Sequence, residues 1–212
     1  MVDKKPIEFV VDWHGVVVKN IVKALVAFAR ERRPDGKGAN IPLPFMLGAL
    51  ASYKFGHLSR DQLELFESFF AWGRHLDLAP IAGAEEGLKS LCEMYPGMVS
   101  VLSSSSYNAA ADKAFKDMVE AKFGEHGLAQ VELAPITGSK APYYQAAKER
   151  ARQVVAIDDS TRHVKAALES NCLALYIGGK KPPYGSAKFD SLALAVKWLE
   201  AFKAKSGRAY GL

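Results

Sequence analysis

The chain has 212 residues, 49% of them hydrophobic and 24% charged, and a formal net charge of +5. This balance excludes a disordered segment and a disulfide-stapled scaffold, and it suits one domain with an elaboration or two small ones. The lysines and arginines are dispersed, no apolar run reaches the roughly 18 residues of a membrane span, and the start, MVDKKPIEF, has no signal core; the expectation is a cytoplasmic protein that meets small anionic molecules, with no membrane and no dedicated nucleic-acid surface as partner.

The first element is a strand, Ile7–Trp13, followed by a turn at Gly15. Within EFVVDWHGVV a carboxylate, Asp12, ends the apolar run, and His14 follows two places on. Three helical segments come next, Asn20–Arg33, Pro44–Tyr53 and Arg60–Trp72, with PDGKGANIPLP dividing the first from the second. Ser59 and Gln62 have the spacing of a capping box for the third. No strand falls among these helices, so residues 18–80 read as an all-helical insertion. Phe66, Phe69, Phe70 and Trp72 follow helical spacing and predict a packing seam between insertion and core.

Beyond the insertion, short apolar runs alternate with amphipathic stretches. The helices are Ala84–Met94, Tyr107–Val119, Pro142–Arg152, Thr161–Ser170 and Ser191–Lys203, and the strands are Met98–Leu102, Val131–Leu133, Val154–Ile157 and Leu173–Ile177. The alternation predicts an α/β fold, a three-layer Rossmann-like core with a parallel sheet formed by residues 1–17 and 81–212. Cys92 and Cys172 sit in apolar surroundings and read as buried small hydrophobes. The GGKKPPYGS stretch, with Lys180 and Lys181, reads as a surface loop, and SGRAYGL as a frayed tail.

A parallel sheet gathers its chemistry at the carboxyl ends of its strands. Asp12-Trp13-His14-Gly15 follows the first strand, Ser103-Ser104-Ser105-Ser106 the second, Gly138-Ser139-Lys140 lies after the third, and Asp158-Asp159-Ser160 follows the fourth. Each alone reads as a turn or a helix cap. Together, at successive strand ends, they predict one crevice holding three carboxylates, a lysine and a group of hydroxyls.

This order resembles the haloacid dehalogenase superfamily, whose members carry a nucleophilic Asp, then Ser or Thr, then Lys, then an acidic pair at those strand ends. The resemblance runs from Ile7 to Phe202, and VVAIDDSTRHVKAALESNCLALYIGG is its most specific stretch. It implies that Asp12 is a nucleophile, that Asp12, Asp158 and the backbone carbonyl of His14 hold Mg²⁺, and that Asp159 supports the metal's water or Lys140. Lys140 would face the phosphoryl oxygens, and the hydroxyl of Ser104, or of Ser103, would hold the phosphoryl group. By the same resemblance residues 18–80 form a small helical cap, and the activity is that of a Mg²⁺-dependent hydrolase with a covalent aspartyl intermediate, foremost a phosphatase for a small phosphorylated metabolite. The physical chemistry agrees: a carboxylate attacks an anionic phosphoryl group only where positive charge cancels their repulsion.

His14 departs from the pattern, since phosphatases of the superfamily place a second Asp there as general acid and base. An imidazole near its ordinary pKa of about 6.5 suits both roles; the other reading makes His14 a turn residue that lends only its backbone carbonyl. Trp13 invites comparison with the phosphonoacetaldehyde hydrolases, for which Lys54 would form the imine. A dehalogenase needs no metal, and the Asp158–Asp159 pair argues for one. The remaining alternative is a binding or regulatory module that keeps the crevice without turnover. His57 and His75 flank the third helix, where they could face the crevice, and as lone histidines they read as surface or partly buried residues.

Overall fold

The computed structural model describes residues 6–19, 21–30, 42–55, 57–71, 73–106, 108–136, 138–179 and 181–210. Six parallel strands form one sheet: β1 (Ile7–Val11), β2 (Val99–Ser106), β3 (Leu128–Pro135), β4 (Gln153–Asp158), β5 (Leu173–Ile177) and β6 (Ala187–Phe189), in the order β3-β2-β1-β4-β5-β6. Helices cover both faces, which is why the central strands are continuous apolar runs instead of alternating ones. Phe9, Val11, Val99 and Val101 point to the face covered by α4 (Ala84–Met94), α5 (Ala109–Phe123) and α8 (Leu192–Tyr210). Val10, Leu102 and Ala156 point to the other face, under α6 (Ala141–Arg150) and α7 (Thr161–Glu169). The three-layer α/β architecture is the one the alternation predicted. Cys92 and Cys172 are buried free thiols, and burial pushes Cys92 up to about 12.

The insertion holds α1 (Ile21–Arg30), α2 (Leu43–Phe55) and α3 (Arg60–Ala71). Ser59 and Gln62 close the expected capping box: the Ser59 backbone N–H donates to Gln62 Oε1 at 3.0 Å, and the Gln62 N–H donates to Ser59 Oγ at 3.3 Å. Leu25, Phe28, Phe66, Phe69 and Phe70 build an apolar cluster internal to these helices, joined by Ile136 from the β3–α6 loop. The expected phenylalanine seam is therefore mainly the insertion's own core. The chain enters and leaves the insertion side by side, with Val18 bridged to Pro80 and the Lys19 N–H donating to the Ala79 carbonyl at 2.9 Å.

Three expectations are corrected. β2 continues through the serines to Ser106 instead of ending at Leu102, with a register shift against β3 between Ser103 and Ser106. β6, only three residues long, follows the loop after β5. α8 runs on to Tyr210, through residues expected to fray. Asn20, residues 31–41, Trp72, Tyr107 and Lys180 lie outside the described residues. Among those described, no helix is long and apolar enough to cross a membrane.

Candidate active site

The chain runs from β1 outward to β2 and β3, then returns to the other side of β1 to lay down β4, β5 and β6. That reversal opens a crevice at the carboxyl ends of β1 and β4. Val11 is in register with Ile157, so the next residue on each strand, Asp12 and Asp158, stands at the mouth of the crevice. Lys140, in the loop before α6, joins them: its Nζ donates to Asp12 Oδ1 at 2.7 Å and to Asp158 Oδ2 at 2.8 Å, and the residue is 1% exposed. Asp158 Oδ1 accepts from the Ser160 N–H at 2.8 Å, and Nδ1 of His163 lies 3.3 Å from Oδ2.

Asp159 completes an acidic cluster. One oxygen from each of Asp12, Asp158 and Asp159 lies within 4.8 Å of the others, the only such three-residue group of potential metal ligands among the described residues. The turn after β1 is shaped around it. Gly15 has φ +88°, and a Cβ there would lie 2.1 Å from Asp159 Oδ2. Gly15→Ala is therefore expected to displace the Asp159 carboxylate, weaken Mg²⁺ binding, and cost about 1–3 kcal/mol in strained backbone. Calorimetric Mg²⁺ titration with thermal unfolding checks this; unchanged metal affinity would show that Asp159 takes no part in binding.

Two buried carboxylates, Asp12 and Asp158, share the Lys140 ammonium, with the half-buried Asp159 beside them. Burial, then the charge of Asp158, pushes the Asp12 carboxyl well above its usual range, against the pull of Lys140. For Asp158 burial works the same way, but Lys140 and His163 outweigh it and hold that carboxyl well below the usual range. Burial would lower the Lys140 ammonium, and the two carboxylates more than reverse this. Carboxylate oxygens gathered this closely are donors of the kind that a hard divalent cation takes.

The serines divide by face, as strand geometry requires. Ser103 Oγ is 2.9 Å from His14 Nδ1 and accepts from Ser105 Oγ at 3.1 Å. Ser104 Oγ is buried with no hydrogen-bond partner among the described residues. Ser104 is thus the serine with a hydroxyl free to bind a ligand, and Ser103 is tied to His14. The His14 ring lies among Phe70, His75 and Phe115. Burial, with His75 and Lys140 beside it, pushes the imidazole down to about 3, far from the near-neutral value expected of a proton shuttle.

Among the other expected residues, His57 and Lys181 are exposed. Lys54 lies in the last turn of α2, with its side chain outside the described ones. His75, expected at or near the surface, is buried at 2% exposure. Sequence reasoning missed its contact with His14, and also the approach of His163 to Asp158. The second had a signal, because His163 lies on α7 just after the Asp158–Asp159 pair; the first joins residues about sixty apart and leaves no local trace.

No family model matches the chain, and no curated protein does. Solved structures do. A HAD family hydrolase from Deinococcus radiodurans R1 with bound phosphate and sodium is 19% identical, covering 97% of this chain and 98% of that one at a TM-score of 0.52. The D,D-heptose 1,7-bisphosphate phosphatase of B. bronchiseptica, complexed with magnesium and phosphate, is 14% identical over 93% of this chain and 99% of that one, with TM-score 0.56. A dehalogenase with an intermediate complex is 14% identical over 93% and 98%, with TM-score 0.61. Phosphatase and dehalogenase share this architecture, so the likeness speaks for the fold and the chemistry has to come from the site. The chain has the fold of the haloacid dehalogenase-like hydrolases, over nearly its full length.

Proposed function

We propose that the chain is a Mg²⁺-dependent phosphatase acting through a covalent aspartyl-phosphate on Asp12, with a small phosphorylated metabolite as substrate. The observation that carries this reading is the cluster of buried Asp12 and Asp158 with half-buried Asp159, Lys140 bridging the two buried members. The three carboxylates, with the backbone carbonyl of His14, fit an oxygen-seeking cation, and Gly15 leaves room for the Asp159 carboxylate. When bound, Mg²⁺ supplies positive charge against the phosphoryl oxygens. The structural neighbours that bind phosphate or magnesium support the same assignment.

Asp12 attacks phosphorus, a bond from its carboxylate oxygen to phosphorus forms, and the bond to the leaving oxygen breaks. The leaving oxygen takes up a proton from solvent and departs as the alcohol; water then attacks the aspartyl-phosphate, giving up a proton to solvent, and phosphate is released as the carboxylate is restored. Lys140 neutralises charge on the phosphoryl oxygens, and Ser104 Oγ donates to one of them. His14, held neutral by burial, offers a hydrogen bond instead of an imidazolium proton. Residues 18–80 act as a cap over a catalytic core formed by residues 1–17 and 81–212.

Hydrolysis of p-nitrophenyl phosphate is expected to stop with chelator and return with Mg²⁺. The Asp12 carboxyl is held above its ordinary range, so it keeps its proton further up the pH scale, and that proton competes with the metal. Mg²⁺ affinity should therefore go on rising with pH above the ordinary carboxylate range, read by calorimetry. Full turnover in chelator would point to dehalogenase-like chemistry.

A further inference from the structure

Four rings from separate parts of the chain meet beside the carboxylates. His75, in the turn after α3, stacks on Phe115 of α5 with 5.9 Å between centroids and meets Phe70 of α3 edge-on at 4.9 Å. His14 completes the group, 6.5 Å from His75, 6.4 Å from Phe70 and 6.3 Å from Phe115. Each imidazole has a buried nitrogen with no hydrogen-bond partner among the described residues: Nε2 of His14 and Nδ1 of His75. His14 is 7% exposed and His75 2%. Burying an imidazole nitrogen unpaired is unfavourable, and Phe70 and Phe115 have no polar atom to pair with it. For packing alone, an apolar residue at position 75 would serve without that cost.

We propose that His75 is a specificity-determining residue that, together with His14, hydrogen-bonds a hydroxyl group on the alcohol part of a phosphate ester. This rests on the phosphatase reading of the site. His14 follows the nucleophile by two residues and its ring lies 6.5 Å from that of His75, so both unpaired nitrogens belong to the surroundings of Asp12. A hydroxyl fits the two unpaired nitrogens, donating its proton to one ring nitrogen and accepting from an N–H of the other ring. The carbon atoms beside it pack against the two phenyl rings. The rings themselves offer hydrogen-bonding atoms and apolar faces and no fixed charge, which suits an uncharged hydroxyl better than a carboxylate or a second phosphate. The substrate class is the monophosphate esters of small, uncharged, hydroxyl-bearing alcohols.

The test compares glycerol 1-phosphate, ethyl phosphate, which lacks further hydroxyls, and phosphoglycolate, which carries a carboxylate. In the parent protein, kcat/KM for glycerol phosphate should exceed that for either other ester by about tenfold or more. His75→Phe should remove the preference by lowering the glycerol phosphate value alone, and His75→Gln, which keeps hydrogen-bonding atoms, should retain part of it. An equal fall for all three esters in His75→Phe would make the residue structural and overturn the proposal, as would a parent that favours ethyl phosphate or phosphoglycolate. The comparison within the parent needs no variant to fold. Calorimetry on the Asp12→Asn protein reads the preference as binding, independently of turnover. If the parent hydrolyses none of the three, the phosphatase reading falls, and the binding comparison still decides the role of His75: glycerol phosphate bound no more tightly than ethyl phosphate overturns it.

Discussion

Asp12→Asn is expected to lower phosphatase turnover by about 10⁴-fold or more while leaving a folded protein. The amide has the carboxylate's shape but cannot attack phosphorus at a useful rate. Stability should not suffer, and the sign can be worked out. The folded-state pKa of Asp12 is raised, so the stability tied to its neutral form is present below the ordinary carboxylate range and is lost as pH rises through the raised value. Asparagine has no such loss, and Lys140 keeps Asp158 as a partner at 2.8 Å. A midpoint of thermal unfolding at neutral pH equal to or above the parent's is the expected result. Beryllium fluoride should bind the parent against Asp12 in the presence of Mg²⁺ and fail to bind the variant. A variant with full turnover would remove the covalent mechanism.

Lys140→Met has the largest expected effect on the fold. The methionine fills much of the same volume but takes from the buried Asp12 and Asp158 carboxylates the ammonium that bridges them. Breaking a buried ion pair from one side costs about 3–5 kcal/mol, because the remaining charge stays buried. The loss depends on pH in a defined direction. Asp158 is held low largely by Lys140, so in the parent it stabilises the fold above the ordinary carboxylate range. Without the lysine that contribution is gone, and the deficit should shrink as pH falls and the carboxyls take up protons. Urea unfolding at about pH 4 and about pH 7.5 measures the gap, which should be wider at the higher value and narrower again with added Mg²⁺. A deficit independent of pH would mean that Lys140 contributes packing and not charge.

The parts of the site that sequence reveals are those fixed by topology. Asp12 and Asp158 end strands that the parallel sheet must place side by side at the crossover, so strand order and a carboxylate at each end suffice to bring them together. Lys140 was visible for the same reason, at the start of the helix that makes the crossover. The serine run on its own reads as a turn, because serine hydroxyls bond nearby backbone groups and so favour turns. Here the hydroxyls of Ser103 and Ser105 bond to each other inside the protein, with His14 as a further partner, and the strand continues through them. The titration of His14 was hidden too, since its burial comes from Phe70, His75 and Phe115, none of them its neighbours in sequence.

The paired stem at the base of the insertion has a consequence for how such a chain is assembled and altered. Lys19 and Ala79 are joined by one backbone hydrogen bond at 2.9 Å, so some sixty residues leave and rejoin the sheet at almost the same point. A short reverse turn could span that gap, and the entropy of closing so brief a loop is small beside that of ordering the segment it replaces. The junction thus works as a socket: a helical module of another length or lining could be grafted between residues 19 and 79 on the same paired stem, provided that it again covers His14, Phe115 and Ile136. Diversification at this position would change which molecules reach Asp12 while leaving the sheet's register untouched.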